Sequence, residues 1–193
     1  MVESDGLAEV EIATGKVVRR TPVPGSRALN DIAVAVDGSV YLSDSLAHTL
    51  FRVAGGNVEA WLKGPEIERP NGLHLVGGRL VVGNNGDGRL KSVDLSTKEV
   101  RTVADLGTGI IDGIESDANG NLLVSHFEGR LFRVTPAGEV TKLLDTSLLE
   151  IPVRYAQHGI QPAGGSPAGR RSHRPERSAQ GRKRERPCDC EAP

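Results

Sequence analysis

Asn30, Asn71 and Asp112 are the residues of this chain whose types and spacing could do chemistry together. Each carries a side-chain oxygen, each precedes Asp or Gly and then a short apolar stretch, and successive members lie 41 residues apart. The three openings read Asn30-Asp31-Ile32-Ala33, Asn71-Gly72-Leu73-His74 and Asp112-Gly113-Ile114-Glu115. A ring of amide and carboxylate oxygens suits a hard divalent cation such as Ca²⁺ better than it suits zinc or copper. The plainer alternative is that each pair only makes a turn before a strand. Recurrence at constant register favours a shared site.

Other chemistry-bearing residues carry less. Asp44, Asn84 and His126 fall at equivalent places in the repeat. His126 could line a channel, but a polar strand-end role is the better expectation for it. Ser43 and Ser125 lie outside any nucleophile-elbow context, and nothing in the sequence supports a Ser-His-Asp triad. Gly86-Asp87-Gly88 reads as a turn rather than a phosphate loop. Cys188 and Cys190 are the only cysteines, and two thiols without partner ligands are too few for structural zinc.

The elements that must position the three oxygen donors follow from the rest of each repeat. A glycine turn comes after each apolar opening: Asp37-Gly38, Gly77-Gly78 and Asn119-Gly120. Next comes a β-rich run, Val40–Ser43, Leu80–Gly83 or Leu122–Ser125. A third strand is expected over Thr49–Val53, Arg89–Val93 and Arg130–Val134, and a fourth over Val58–Leu62, Val100–Val103 and Val140–Leu144. Four short strands per repeat, with apolar and polar positions alternating, predict the blade of a β-propeller. Ala8–Ile12 and Lys16–Val18 read as the outer hairpin of a preceding blade. The expected fold is therefore all-β, about three and a half four-stranded blades. Closed propellers need more blades than that, so the sequence predicts part of a longer ring in preference to a ring closed by association.

Residues 1–150 form the expected propeller segment, and residues 151–193 a separate tail. The first carries a net charge of −6 and the second +5, which the overall −1 conceals. The tail is rich in Arg, Pro, Gly and Ser and too poor in apolar residues to offset the entropy of ordering, which predicts disorder. Its basic runs lack the interleaved aromatics that stack on bases, so no nucleic-acid partner is expected. Eight arginines against one lysine also suggest a frameshifted reading of GC-rich DNA. No apolar run approaches the length that spans a bilayer, and the polar start, Met1-Val2-Glu3-Ser4-Asp5, resembles no signal peptide. A truncated N-terminus is expected, and compartment and oligomeric state are left open.

Pro70-Asn71-Gly72-Leu73 and Ile111-Asp112-Gly113-Ile114-Glu115-Ser116-Asp117 resemble the two metal-ligand motifs of the gluconolactonase/regucalcin family, calcium-dependent six-bladed propellers. Leu29-Asn30-Asp31 resembles that family's Asn-Asp motif, and the likeness covers roughly residues 7–146. It implies that Asn71 and Asp112 coordinate a divalent ion, Ca²⁺ first, with Zn²⁺, Mg²⁺ and Mn²⁺ as other possibilities. It implies further that Asp112 accepts a proton from water and that Asn30 holds a small-molecule lactone. The family's first-blade glutamate ligand has no counterpart here. Its arginine two residues before the Asn-Asp asparagine is replaced by Ala28, and Arg27 is left out of the site. With two of three protein ligands the metal should bind weakly, so the expectation is a fragment of a lactone hydrolase, inactive as it stands. The rival expectation is a non-catalytic propeller that serves as a binding scaffold, since one fold hosts many functions.

Overall fold

The computed structural model describes residues 1–3, 5–107 and 109–147. The expected tail, its basic runs, its two cysteines and the frameshift lie outside the described residues. Among the described residues the chain forms fourteen strands and no α-helix. A two-stranded hairpin comes first, β1 (Gly6–Glu11) and β2 (Lys16–Pro22). Three antiparallel sheets follow, each in simple chain order. The first holds β3 (Leu29–Val34), β4 (Val40–Asp44), β5 (Thr49–Ala54) and β6 (Asn57–Lys63). The second holds β7 (Pro70–Val76), β8 (Arg79–Asn84), β9 (Arg89–Asp94) and β10 (Val100–Asp105). The third holds β11 (Ile111–Ser116), β12 (Leu122–His126), β13 (Arg130–Val134) and β14 (Val140–Asp145). These are three blades of a β-propeller, preceded by the hairpin.

Both faces of a blade must be covered, and alternation along single strands does this. On β8, Leu80 and Val82 join an apolar cluster with Tyr41, Leu50 and Trp61 of the first blade. Val81, between them, faces the third blade with Leu90, Ile111, Ile114 and Val124. On β4, Leu42 packs with Phe51, Val53 and the hairpin's Leu7, while Tyr41 faces the second blade. Each fully buried Leu or Val adds about 1.5–3 kcal/mol, so the blades hold one another by apolar contact. Trp61 strengthens the first seam. Its ring meets Tyr41 edge-on with centroids 4.9 Å apart, and Lys98 of the second blade lies 5.5 Å over it. The same ammonium donates a hydrogen bond to the Trp61 carbonyl at 2.8 Å.

The glycine turns have a local cause. Gly38, Gly78 and Gly120 all take φ near +80°, a region that costs side-chain-bearing residues about 1–2 kcal/mol. Asp37 fixes the first of these turns by accepting the Ser39 backbone N–H at 2.9 Å.

Candidate functional site

The innermost strands β3, β7 and β11 carry the same irregularity at the same place. Leu29 pairs with Asp44, Pro70 with Asn84 and Ile111 with His126; pairing then breaks and resumes at Ile32, Leu73 and Ile114. Two residues per strand are thereby left out of the ladder: Asn30-Asp31, Asn71-Gly72 and Asp112-Gly113. The candidate residues therefore do not open their strands, as the sequence suggested. They stand one position inside, in a bulge, the device by which a strand re-aims a side chain.

Serines hold two of the bulges. The Asp31 N–H donates to Ser43 Oγ at 3.0 Å and the Gly113 N–H to Ser125 Oγ at 2.9 Å. Both hydroxyls are fully buried, which gives Ser43 and Ser125 a scaffold role that their sequence context did not reveal. In the middle blade Gly83 stands at this position, and a Cβ there would meet Ile111 Cγ2 at 2.6 Å. The third blade's side chain fills the space instead.

Contacts between blades lock the bulges to one another. Asp31 Oδ2 accepts the Leu73 N–H at 2.8 Å, reaching from the first blade into the second. Asn30 Nδ2 donates to Ser45 Oγ at 3.2 Å, and Ser45 donates in turn to the Pro70 carbonyl at 2.7 Å. Asn85 Oδ1 accepts the Ile111 N–H at 2.8 Å, so the second blade grips the third one residue before Asp112. At Gly72 the approach is so close that a Cβ would lie 2.0 Å from the Asp112 carbonyl oxygen.

Within this frame the three side chains differ. Asn30 is exposed and steadied through its amide nitrogen. Asp112 is half-buried. Asn71 is buried, and its Oδ1 has no hydrogen-bond donor. An amide oxygen shut away from water in this way costs about 1–3 kcal/mol. A cation is a partner that such an atom suits. Among the described residues no three His, Cys, Asp or Glu side chains gather as a metal cluster.

The strand-end residues prove to be clamps. Asp44 accepts backbone N–H groups of Arg27, Ala28, Leu46 and Ala47 at 2.6–3.1 Å. Asn84 accepts from the Glu68 N–H at 2.7 Å and donates to Asp87 at 2.8 Å. His126 is fully buried, with Nδ1 2.9 Å from Glu128 Oε2 and its ring edge-on to Phe132. Burial pushes its pKa down, against the opposing pull of Glu128. It belongs to the interior and not to the channel wall.

Sequence reasoning missed a further group. His74 Nε2 lies 3.0 Å from Ser116 Oγ, and His74 Nδ1 lies 3.7 Å from Glu115 Oε2. The signal was present in the register of the repeat, where His74 and Glu115 hold the same position 41 residues apart.

No protein-family model matches the chain, and no curated protein matches it. Solved structures do. Virginiamycin B lyase from Staphylococcus aureus is 16% identical with a TM-score of 0.60, over 72% of this chain and 48% of its own. A gluconolactonase from Xanthomonas campestris is 19% identical at TM-score 0.58, over 72% and 54%. Regucalcin from Agrobacterium tumefaciens, a calcium-binding protein, is 21% identical at TM-score 0.57, over 72% and 53%. The fold is that of these propellers, and the chain spans about half the length of each.

Proposed function

We propose that the chain carries part of the site of a divalent-metal-dependent lactone hydrolase. The observation behind the reading is the buried, donorless Asn71 Oδ1, set in a bulge that recurs at Asp112 and Asn30. Asn71 and Asp112 would hold the ion. Their oxygen donors suit Ca²⁺, with Mg²⁺ and Mn²⁺ next and Zn²⁺ less well matched. When bound, such an ion polarises an ester carbonyl and stabilises the oxyanion that develops on it. Asn30, fixed by Ser45, would orient the lactone. Asp112 would accept the proton of the attacking water, as a carboxylate within reach can. A carboxylate beside a cation is a weaker base, so Asp112 acts as much by orienting the water as by taking its proton. Two protein ligands hold an ion loosely, and weak affinity is expected.

Thermal unfolding of the full chain with and without millimolar Ca²⁺ tests the reading. Ca²⁺ should raise Tm. Asn71→Leu should leave the ion-free protein as stable or about 1 kcal/mol more stable, because it removes an unpaired buried oxygen, yet the Ca²⁺-dependent rise should vanish. Asp112→Ala should abolish the rise too. A Tm indifferent to every divalent ion, or a rise that survives both substitutions, would overturn the assignment and leave a binding scaffold as the better account.

A further inference from the structure

His74 and Glu115 follow the bulges of β7 and β11, three residues beyond Asn71 and Asp112. Ser116 is four residues beyond Asp112 on β11, about 13 Å along an extended strand. One imidazole stands between a hydroxyl and a carboxylate, with Nε2 3.0 Å from Ser116 Oγ and Nδ1 3.7 Å from Glu115 Oε2. That order is nucleophile, base and orienting acid. The Glu115 carboxylate beside Nδ1 favours the tautomer that carries its proton there, which leaves the Nε2 lone pair for the serine hydroxyl. The 3.7 Å separation is an ion-pair distance, and such contacts commonly tighten when substrate binds. His74 and Glu115 side chains are 19% and 29% exposed, while Ser116 is open to solvent. The base is thus sheltered and the nucleophile reachable.

The surroundings indicate what could react. His74 and Glu115 line a groove of about 1130 Å³ that Asn30 also lines, with Ile32, Leu73 and Leu75 in its wall. Apolar side chains beside the base suit an ester that carries an apolar group.

We infer that Ser116, His74 and Glu115 form an activated-serine site for carboxylic esters bearing an apolar group, with reacting residues other than those of the metal-type site although Asn30 lines the same groove. Ser116 Oγ attacks the acyl carbon as its proton passes to His74 Nε2, and the alcohol leaves with that proton. Water then attacks the acyl-serine and gives a proton to His74. The carboxylic acid departs, and the proton returns to Ser116 Oγ. Glu115 touches no reacting atom and is a positioning residue.

A fluorophosphonate reads the activated serine directly, because the Ser116 O–P bond forms as the P–F bond breaks, releasing fluoride and one proton. The full chain, treated with EDTA, should gain one adduct, located at Ser116 by peptide mass spectrometry. Its rate should exceed that of the urea-unfolded chain by about a hundredfold or more. Ser116→Ala should abolish the adduct, and both His74→Ala and His74→Gln should return the rate to the unfolded level. Glu115→Gln should slow labelling at least about tenfold, and Glu115→Asp should restore much of the loss. Urea midpoints measured on the same samples confirm that each variant is folded. No adduct at Ser116 in the folded wild type, or an adduct that persists in folded His74 variants, overturns the inference. Because EDTA strips divalent ions, success or failure here is independent of the metal reading.

Discussion

Asn71 and His126 each bury an atom that lacks a hydrogen-bond partner, Oδ1 in one and Nε2 in the other, yet their surroundings assign them different work. His126 is sealed in. Phe132 meets its ring, Glu128 engages Nδ1, and Gly109 packs so near that a Cβ would lie 2.4 Å from Cε1. Burial, the dominant influence, lowers its pKa from 6.5; Glu128 opposes it and Arg130 adds to it. The unfolded chain therefore binds a proton that the folded chain refuses. Stability contributed by this group is present above pH about 6.5 and is lost as pH falls through the lowered value. Urea midpoints should fall between pH 7.5 and 5, and His126→Gln should flatten that slope. A variant with the wild-type slope would mean that the imidazole takes up its proton inside the fold without cost.

At the scale of the element, the bulge on each inner strand sets how closely blades approach. Gly72 lies against the Asp112 carbonyl, and the contact is backbone, so it cannot swing aside. Gly72→Ala should cost about 1–3 kcal/mol, read as a lower urea midpoint. Gly64→Ala, where nothing lies within 4 Å, should change it by no more than about 0.5 kcal/mol. The strands themselves were legible from the 41-residue period. Arg130–Val134 is found as expected, and Val40–Ser43 and Leu80–Gly83 gain one or two residues at their ends. Apolar alternation reports which residues are buried, so it locates strands well. It does not report pairing, and the displacement of Asn30, Asn71 and Asp112 into bulges was invisible for that reason. Their place on the inner strands was readable. The roles of Ser43 and Ser125 were not, since each bonds to a backbone N–H twelve residues away. The His74–Ser116 pair is assembled across a seam between two blades, and only a comparison of repeat against repeat brings its members together.

At the scale of the molecule, burial is graded along the stack. The middle blade has neighbours on both sides, and Leu80, Val82, Leu90 and Val93 are wholly buried. Every residue of β14 is exposed, as is nearly all of β2. In stacked repeats each unit is stabilised by its neighbours, and protection from hydrogen exchange follows local stability. Amides of β8 and β9 should exchange slowest, and those of β2 and β14 at least about tenfold faster. Equal protection throughout would show that the three sheets open only together.

A position that no partner strand counts can change its side chain without sliding the ladder on either side. Leu29 and Ile32 keep their partners whatever stands between them, and so do Pro70 with Leu73 and Ile111 with Ile114. Around the axis, then, the wall tolerates new reagents as a tool-holder accepts new bits, provided that Asp31 keeps its bond to Leu73 and the glycine at 72 stays small.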